Sequence, residues 1–194
     1  MMALRCCHLE VGCLCIMGVS PMRLDVDGFC GYVSAMEIRI ARAQPANAAT
    51  IAELVKELVY EIETAIGSKV FSFDSVDTET RARTWLINGT YTAFVAYSNR
   101  GNEVLGFLAV YESYGLYAEG AFGTIPELYV RPDYRSQGVG GRLLAEARQF
   151  ATSRKWTRLE VTTPPLPQFD RTLAFYERHN FSVSGGRKLK MILS

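Results

Sequence analysis

The stretch Ile125-Pro126-Glu127-Leu128-Tyr129-Val130-Arg131-Pro132-Asp133-Tyr134-Arg135-Ser136-Gln137-Gly138-Val139-Gly140-Gly141-Arg142-Leu143-Leu144 decides the reading of the chain. It starts as a short strand, turns on Pro132-Asp133 and passes through a glycine-bearing loop straight into a helix, since Leu143, Ala147, Phe150 and Ala151 share one helical face. A helix start carries unpaired backbone N–H groups and roughly half an elementary positive charge. Gly138, Gly140 and Gly141 let a ligand approach those groups with no Cβ in the way, which makes the loop a phosphate cradle. Arg135 and Arg142 are expected to add cations on either side, suiting an extended ligand with more than one phosphate. Each of these glycines weakens a helix by about 1 kcal/mol relative to Ala, so their clustering needs a reason.

Two common phosphate motifs do not fit. The loop lacks the Lys-Ser/Thr pair of a nucleoside-triphosphate P-loop and the G-x-G-x-x-G spacing of a dinucleotide-binding turn. Arg135-Ser136-Gln137-Gly138-Val139-Gly140 instead resembles the signature of the GNAT acyltransferases, in which Arg or Gln, two residues, Gly, one residue, then Gly or Ala grip the pyrophosphate of acetyl-CoA. The strand Glu127 to Val130 and the turn Arg131 to Tyr134 before it, and the helix after it, supply the matching context.

At 194 residues the chain fits one domain with a single core. Its net charge of +1, with no basic run, does not indicate nucleic acid. No apolar segment approaches the ~20 residues needed to cross a bilayer, so no membrane partner and a cytoplasmic location are expected. All five cysteines (Cys6, Cys7, Cys13, Cys15 and Cys30) precede Met36, which excludes a disulfide framework for the main body. Residues 1–35 differ in composition from the rest and read as a disordered or loosely packed extension, or as an upstream start before a natural Met36. Cys13, Cys15 and His8 lack zinc-site spacing, and no metal is expected.

From Met36 the pattern becomes regular. Glu37 to Arg42 alternates as a half-buried strand; Asn47 is the expected N-cap of a helix built on Ile51, Leu54, Val55, Leu58, Val59 and Ile62. Glu61 and Glu63 close that helix, either as solvated charge or as an acidic lip for a cationic substrate. A second helix is expected from Ser75 or Val76 to Trp85, with Ser75 as cap. Tyr91 to Tyr97 and Val104 to Tyr111 read as antiparallel strands joined at 99–102, with Gly106 marking a bulge or a close backbone approach. Tyr114 to Gly123 reads as an aromatic, glycine-rich loop. After the helix from Gly138 to about Arg154, a strand Arg158 to Thr163 implies a parallel crossover. A helix from Thr172 to about Asn180 and a hairpin over 183–193 complete the chain.

This order is similar to the GNAT order over residues 36–194. The resemblance implies an α/β (α+β) fold with a mixed, twisted central sheet flanked by helices and two central parallel strands splayed apart. Leu173-Ala174-Phe175-Tyr176-Glu177-Arg178-His179-Asn180-Phe181 is similar to the second family motif, with Asn180 where Gly is usual and Phe169 where many members have Asn. It further implies that Leu128, Tyr129 and Val130 lie along the pantetheine arm, and that Arg135, Ser136, Gln137, Gly138, Val139, Gly140, Gly141 and Arg142 hold the pyrophosphate. Tyr176 is then the general acid beside the thioester sulfur; a thiol pKa of about 8.5 and a tyrosine pKa of about 10 let a proton be shared as the C–S bond breaks. An attacking alkylamine must lose a proton, and Glu127 is the best-placed carboxylate, as base or as substrate ligand. The activity implied is transfer of an acetyl group from acetyl-CoA to a primary amine. Glu61, Glu63, Glu119 and Glu127 suit a small cationic amine; Tyr114, Tyr117 and Phe122 suit a larger ring-bearing one. A protein N-terminus as acceptor, a non-catalytic acetyl-CoA sensor, another acyl-CoA donor and a homodimer stay open.

Overall fold

The computed structural model describes residues 36–99, 102–118, 120–184, 188, 190 and 191. The chain divides after residue 36, and the fold below is that of the unit 37–194. Readings that fall on residues 1–35, on Arg100 and Gly101, on Glu119 and on most of the 183–193 hairpin lie outside the described residues.

Strands β1 (Ile38–Arg42), β2 (Thr92–Ser98) and β3 (Val104–Gly115) form an antiparallel meander. β4 (Gly120–Ile125) and β5 (Leu128–Val130) both pair antiparallel with β3, while β6 (Leu159–Val161) pairs parallel with β4. Helices α1 (Ala48–Ile66) and α2 (Ser75–Asn88) precede β2; α3 (Val139–Ser153) and α4 (Asp170–Arg178) flank β6 in sequence. Residues alternate across a sheet, and the two sides of β2 show which helices cover which face. Ala93 and Val95 share a core cluster with Ile51 and Leu54 of α1 and Ala82 of α2. Phe94 packs edge-on against Phe150 of α3, ring centroids 6.0 Å apart, so α3 covers the opposite face.

The register along β3 contains the feature that opens the sheet. Tyr111 pairs with Thr124 and Leu108 with Leu128, so three steps on β3 face four on its partner. The extra residue is a β-bulge over Ile125, Pro126 and Glu127, which bends one long strand into β4 and β5. β6 follows β4 through Gly123, Thr124 and Ile125 and no further, leaving β5 with an unpaired outer edge among the described residues. This is the splay between parallel neighbours that the sequence resemblance implied.

Several boundaries depart from expectation for local reasons. Asn47 holds the expected N-cap position of α1 but bonds none of its amides: its side-chain oxygen accepts from the amide of Gln44, within a 3-10 turn over Pro45–Asn47. α2 is capped by Asp74, whose carboxylate accepts from Asp77 N at 2.8 Å, and Ser75 is already helical. The expected loop Tyr114 to Gly123 is mostly strand: Tyr114 pairs with Ala121 and Gly115 with Gly120, around a 3-10 turn over Leu116–Ala118. Gly106 meets both expectations, since the β2 register shifts beside it and a Cβ there would strike the backbone of Tyr129 and Val130. Asn180 takes the left-handed conformation, φ 67°, just past α4.

Candidate active site

The loop before α3 is built as a donor array. Ser136 and Gly138 have φ of 60° and 85°, and Gly138 stands at the N-cap of α3 with no side-chain oxygen bonding the first helical amides. The first amide of the helix to find a protein acceptor is Arg142 N, on Gly138 O at 3.0 Å. No protein oxygen among the described residues accepts from the amides of Ser136, Gln137, Gly138, Val139, Gly140 or Gly141. Six consecutive free donors at a helix start, at the positive end of its dipole, have the chemistry to receive an anion.

The glycines divide their labour differently from the expectation that all three clear the way for a ligand. A Cβ on Gly138 would meet nothing within 4 Å, so that position needs glycine for its backbone angle. A Cβ on Gly140 would come 3.2 Å from the Phe175 ring and 3.8 Å from Val130 Cγ2; one on Gly141 would come 3.1 Å from His179 Nε2. These two let the start of α3 pack closely on α4 and β5. The cradle, the open edge of β5 and the segment carrying Tyr176 therefore converge on Gly140.

The two arginines are not free cations flanking the cradle. Arg135 donates from Nε to Val130 O at 2.8 Å and from Nη2 to Glu61 at 2.5 Å, and it lies over the Tyr129 ring. Arg142 Nη1 donates to Ile38 O at 3.1 Å. One turn before Arg135, Arg131 makes a two-pronged pair with Glu57 at 3.0 and 2.7 Å, so α1 grips β5 and its following turn through an i, i+4 pair on each side. Gln137 is folded back as well, donating to Asp133 O. Glu61 is thus spoken for, and Glu63 accepts from the amides of Val70 and Phe71, both at 3.0 Å; the acidic lip is a set of internal ties.

Along β5 the register assigns the backbone groups. Arg131 N donates to Leu105 O and Ala109 N to Glu127 O, so by alternation Tyr129 pairs with Phe107 across the ladder. Leu128 and Val130 turn their backbone groups to the open edge, with Val130 O already held by Arg135. Tyr129 contributes its ring to the core instead of its backbone to the gap.

Two ionisable side chains occupy this neighbourhood. Glu127 lies in the bulge, and its Oε2 accepts a short hydrogen bond from the Tyr91 hydroxyl. Its Oε1 has no protein partner among the described residues, yet no buried side-chain oxygen is left unsatisfied, so Oε1 is open to solvent. Loss of hydration in the bulge raises the Glu127 pKa, against the lowering effect of the Tyr91 hydrogen bond. Tyr176 is 5 % exposed, its ring edge-on to Phe175 and Phe181 at 5.2 and 5.3 Å. Burial pushes its pKa far up, and its hydroxyl, without a protein partner, likewise keeps contact with solvent. Phe169, at the N-cap of α4, is buried and offers no polar contact from its side chain. Tyr91 was missed in the sequence, where it looks like an ordinary strand-opening aromatic. Only the bulge, which no residue pattern announces, brings Glu127 to it. No group of three or more His, Cys, Asp or Glu able to hold a metal ion occurs among the described residues, and no described helix is long and apolar enough to cross a membrane.

Residues 89–183, from the end of α2 past α4, match the family model for an acetyltransferase (GNAT) domain. No match was found among curated proteins. Among solved structures, the chain is similar to an aminoglycoside acetyltransferase from an uncultured soil metagenomic sample in complex with sisomicin, at 21% identity and TM-score 0.63, covering 81% of this chain and 97% of that one. It is similar to a ribosomal-protein-alanine N-acetyltransferase from Brucella melitensis biovar Abortus 2308, at 18% identity and TM-score 0.60, covering 80% and 99%. A predicted acetyltransferase from Clostridium acetobutylicum, solved with acetyl-CoA, matches at 14% identity and TM-score 0.64, covering 80% and 96%. At these identities the likeness is one of fold.

Proposed function

This chain carries a GNAT acetyltransferase domain, and from that premise we propose that it moves an acetyl group from acetyl-CoA to a primary amine of a small molecule by direct attack. The observation that carries the reading is the run of six unpaired amides from Ser136 to Gly141 beside the open edge of β5. A diphosphate satisfies those donors, and an amide-bearing arm satisfies the outward backbone groups of Leu128 and the outward amide of Val130, which a water-exposed sheet edge would otherwise leave idle. The arginines serve from behind: Arg135 and Arg142 fix the loop to α1 and β1 so that its amides stay aimed.

Proton handling falls to two residues. Oε1 of Glu127 takes the proton of the incoming ammonium group, directly or through one water, and the freed nitrogen attacks the thioester carbonyl carbon. The raised pKa of Glu127 brings its basicity toward neutral pH, which favours this role. As the carbon–sulfur bond breaks, the Tyr176 hydroxyl gives its proton to the departing sulfur, and the phenolate recovers one from the cationic nitrogen of the adduct, directly or through water, leaving a neutral amide and the free coenzyme thiol. Burial raises the tyrosine pKa, so the hydroxyl keeps its proton until the sulfur departs. A small-molecule acceptor is supported by the fold shared with an aminoglycoside acetyltransferase solved with sisomicin.

The test is release of free thiol from acetyl-CoA across a panel of amines, including aminoglycosides, polyamines and peptides with free N-termini. Turnover confined to small amines supports the reading; turnover on peptide N-termini alone, or none on any acceptor, contradicts it.

A further inference from the structure

Glu127 has three side-chain torsions and sits in a bulge, where no regular ladder dictates its rotamer. Among the described residues, one side chain hydrogen-bonds to it. Tyr91, immediately before β2, donates to Oε2 across 36 positions of sequence. The donor is itself rigid: Tyr91 is 9 % exposed, belongs to the core cluster under α1 and α2, and is braced by Trp85 of α2 with ring centroids 5.6 Å apart. Carrying the β2–β3 register one pair further sets Tyr91 opposite Tyr111. Among the described residues, the ionisable groups acting on the pair are those of Tyr91, Tyr111 and Glu127 themselves, with no cation to neutralise the carboxylate.

Resting on the reading of Glu127 as the base, we propose that Tyr91 is its positioning residue, holding Oε2 so that Oε1 alone faces the substrate amine. A hydroxyl donating to an ionised carboxylate is a strong, directional contact, and its geometry fixes which lone pair remains for chemistry. The same bond favours the ionised form, countering the desolvation of the bulge, so Glu127 stays competent to accept a proton near neutral pH. A tyrosine retained only to fill the core would do neither.

The experiment is a carbon-NMR titration of the full chain labelled at the glutamate carboxyl carbons, with the Glu127 signal assigned by its loss in Glu127→Gln. Tyr91→Phe, which keeps the ring and its packing on Trp85, is expected to raise the Glu127 titration midpoint and lower kcat about tenfold, leaving the acetyl-CoA Kd unchanged. 3-Fluorotyrosine introduced at position 91, a stronger donor of nearly the same shape, is expected to move the midpoint the other way. That second protein decides the matter should Tyr91→Phe fail to fold. Midpoints that coincide with wild type in every folded variant overturn the proposal. Full turnover in Glu127→Gln would instead overturn the base reading on which it rests, so the two failures are distinguishable.

Discussion

The ring of Phe175 lies 3.2 Å from where a Cβ on Gly140 would stand, which couples the anion cradle to the helix segment that holds Tyr176. Gly140→Ala gains about 1 kcal/mol of helix propensity but forces that ring to move, an overpacking cost of about 1–3 kcal/mol. The expected outcome is a net loss of up to about 2 kcal/mol in urea unfolding. Because the displaced ring precedes Tyr176, kcat should fall more than acetyl-CoA affinity, which steady-state kinetics with calorimetry would check.

Arg135 is a tie between α1 and β5, and its replacement should read as loss of stability before loss of affinity. Its ion pair with Glu61 is more than a third exposed on the arginine side and contributes at most about 1 kcal/mol. The bond to Val130 O adds about 1 kcal/mol. Arg135→Gln should therefore lower unfolding free energy by about 1–2 kcal/mol and leave the acetyl-CoA Kd within about threefold, where loss of a direct charged phosphate contact costs tenfold or more.

Glu127→Gln separates chemistry from folding. Turnover should fall by about 10²–10⁴ if the carboxylate is the base. Stability should move the other way. The folded-state pKa lies above the ordinary glutamate value, so between the two the folded protein keeps a proton that the unfolded chain releases, and stability falls as pH rises through that window. The glutamine variant lacks this term. Urea melts from about pH 4 to 8 should show wild type losing stability relative to Glu127→Gln across the window and running parallel above it; parallel curves throughout would contradict the raised, partly desolvated carboxylate.

Much of this architecture was legible in the residues. Helical spacing from Ile51 to Ile62, alternation in β1, and the glycines from 138 to 141 all found their elements, because each is a local pattern with a local cause. What stayed hidden was set by pairs distant in sequence. Arg135 looked like a phosphate ligand because the Glu61 that engages it lies 74 positions earlier. Gly140 and Gly141 looked like ligand clearance because α4 packs on them from 35 residues downstream and more. Tyr91 carried no signal at all, since its partner is delivered by a one-residue slip in register at Ile125 to Glu127. Ser75 shows the smaller version of this, where the neighbouring Asp74 captured the capping role, while Asn47 keeps the N-cap position of α1 with its side chain turned to Gln44.

Tyr176→Phe should leave the fold intact, since the hydroxyl makes no protein hydrogen bond among the described residues and the ring packing survives. Thermal stability is expected within about 0.5 kcal/mol of wild type, with kcat lowered by about 10²-fold and the acetyl-CoA Kd nearly unchanged. The burial that pushes the Tyr176 pKa up also means that this group stays protonated across the assay range, so an alkaline decline in wild-type activity should persist in the variant.

The central claim is that the amides from Ser136 to Gly141 receive the diphosphate of a coenzyme thioester. Amide proton–nitrogen spectra recorded during titration with coenzyme A test it most directly. The account predicts saturable downfield shifts concentrated in Ser136, Gly138, Gly140 and Gly141, the change expected of donors gaining a charged acceptor. Binding that leaves those amides in place while moving others, or no binding at all, would contradict it.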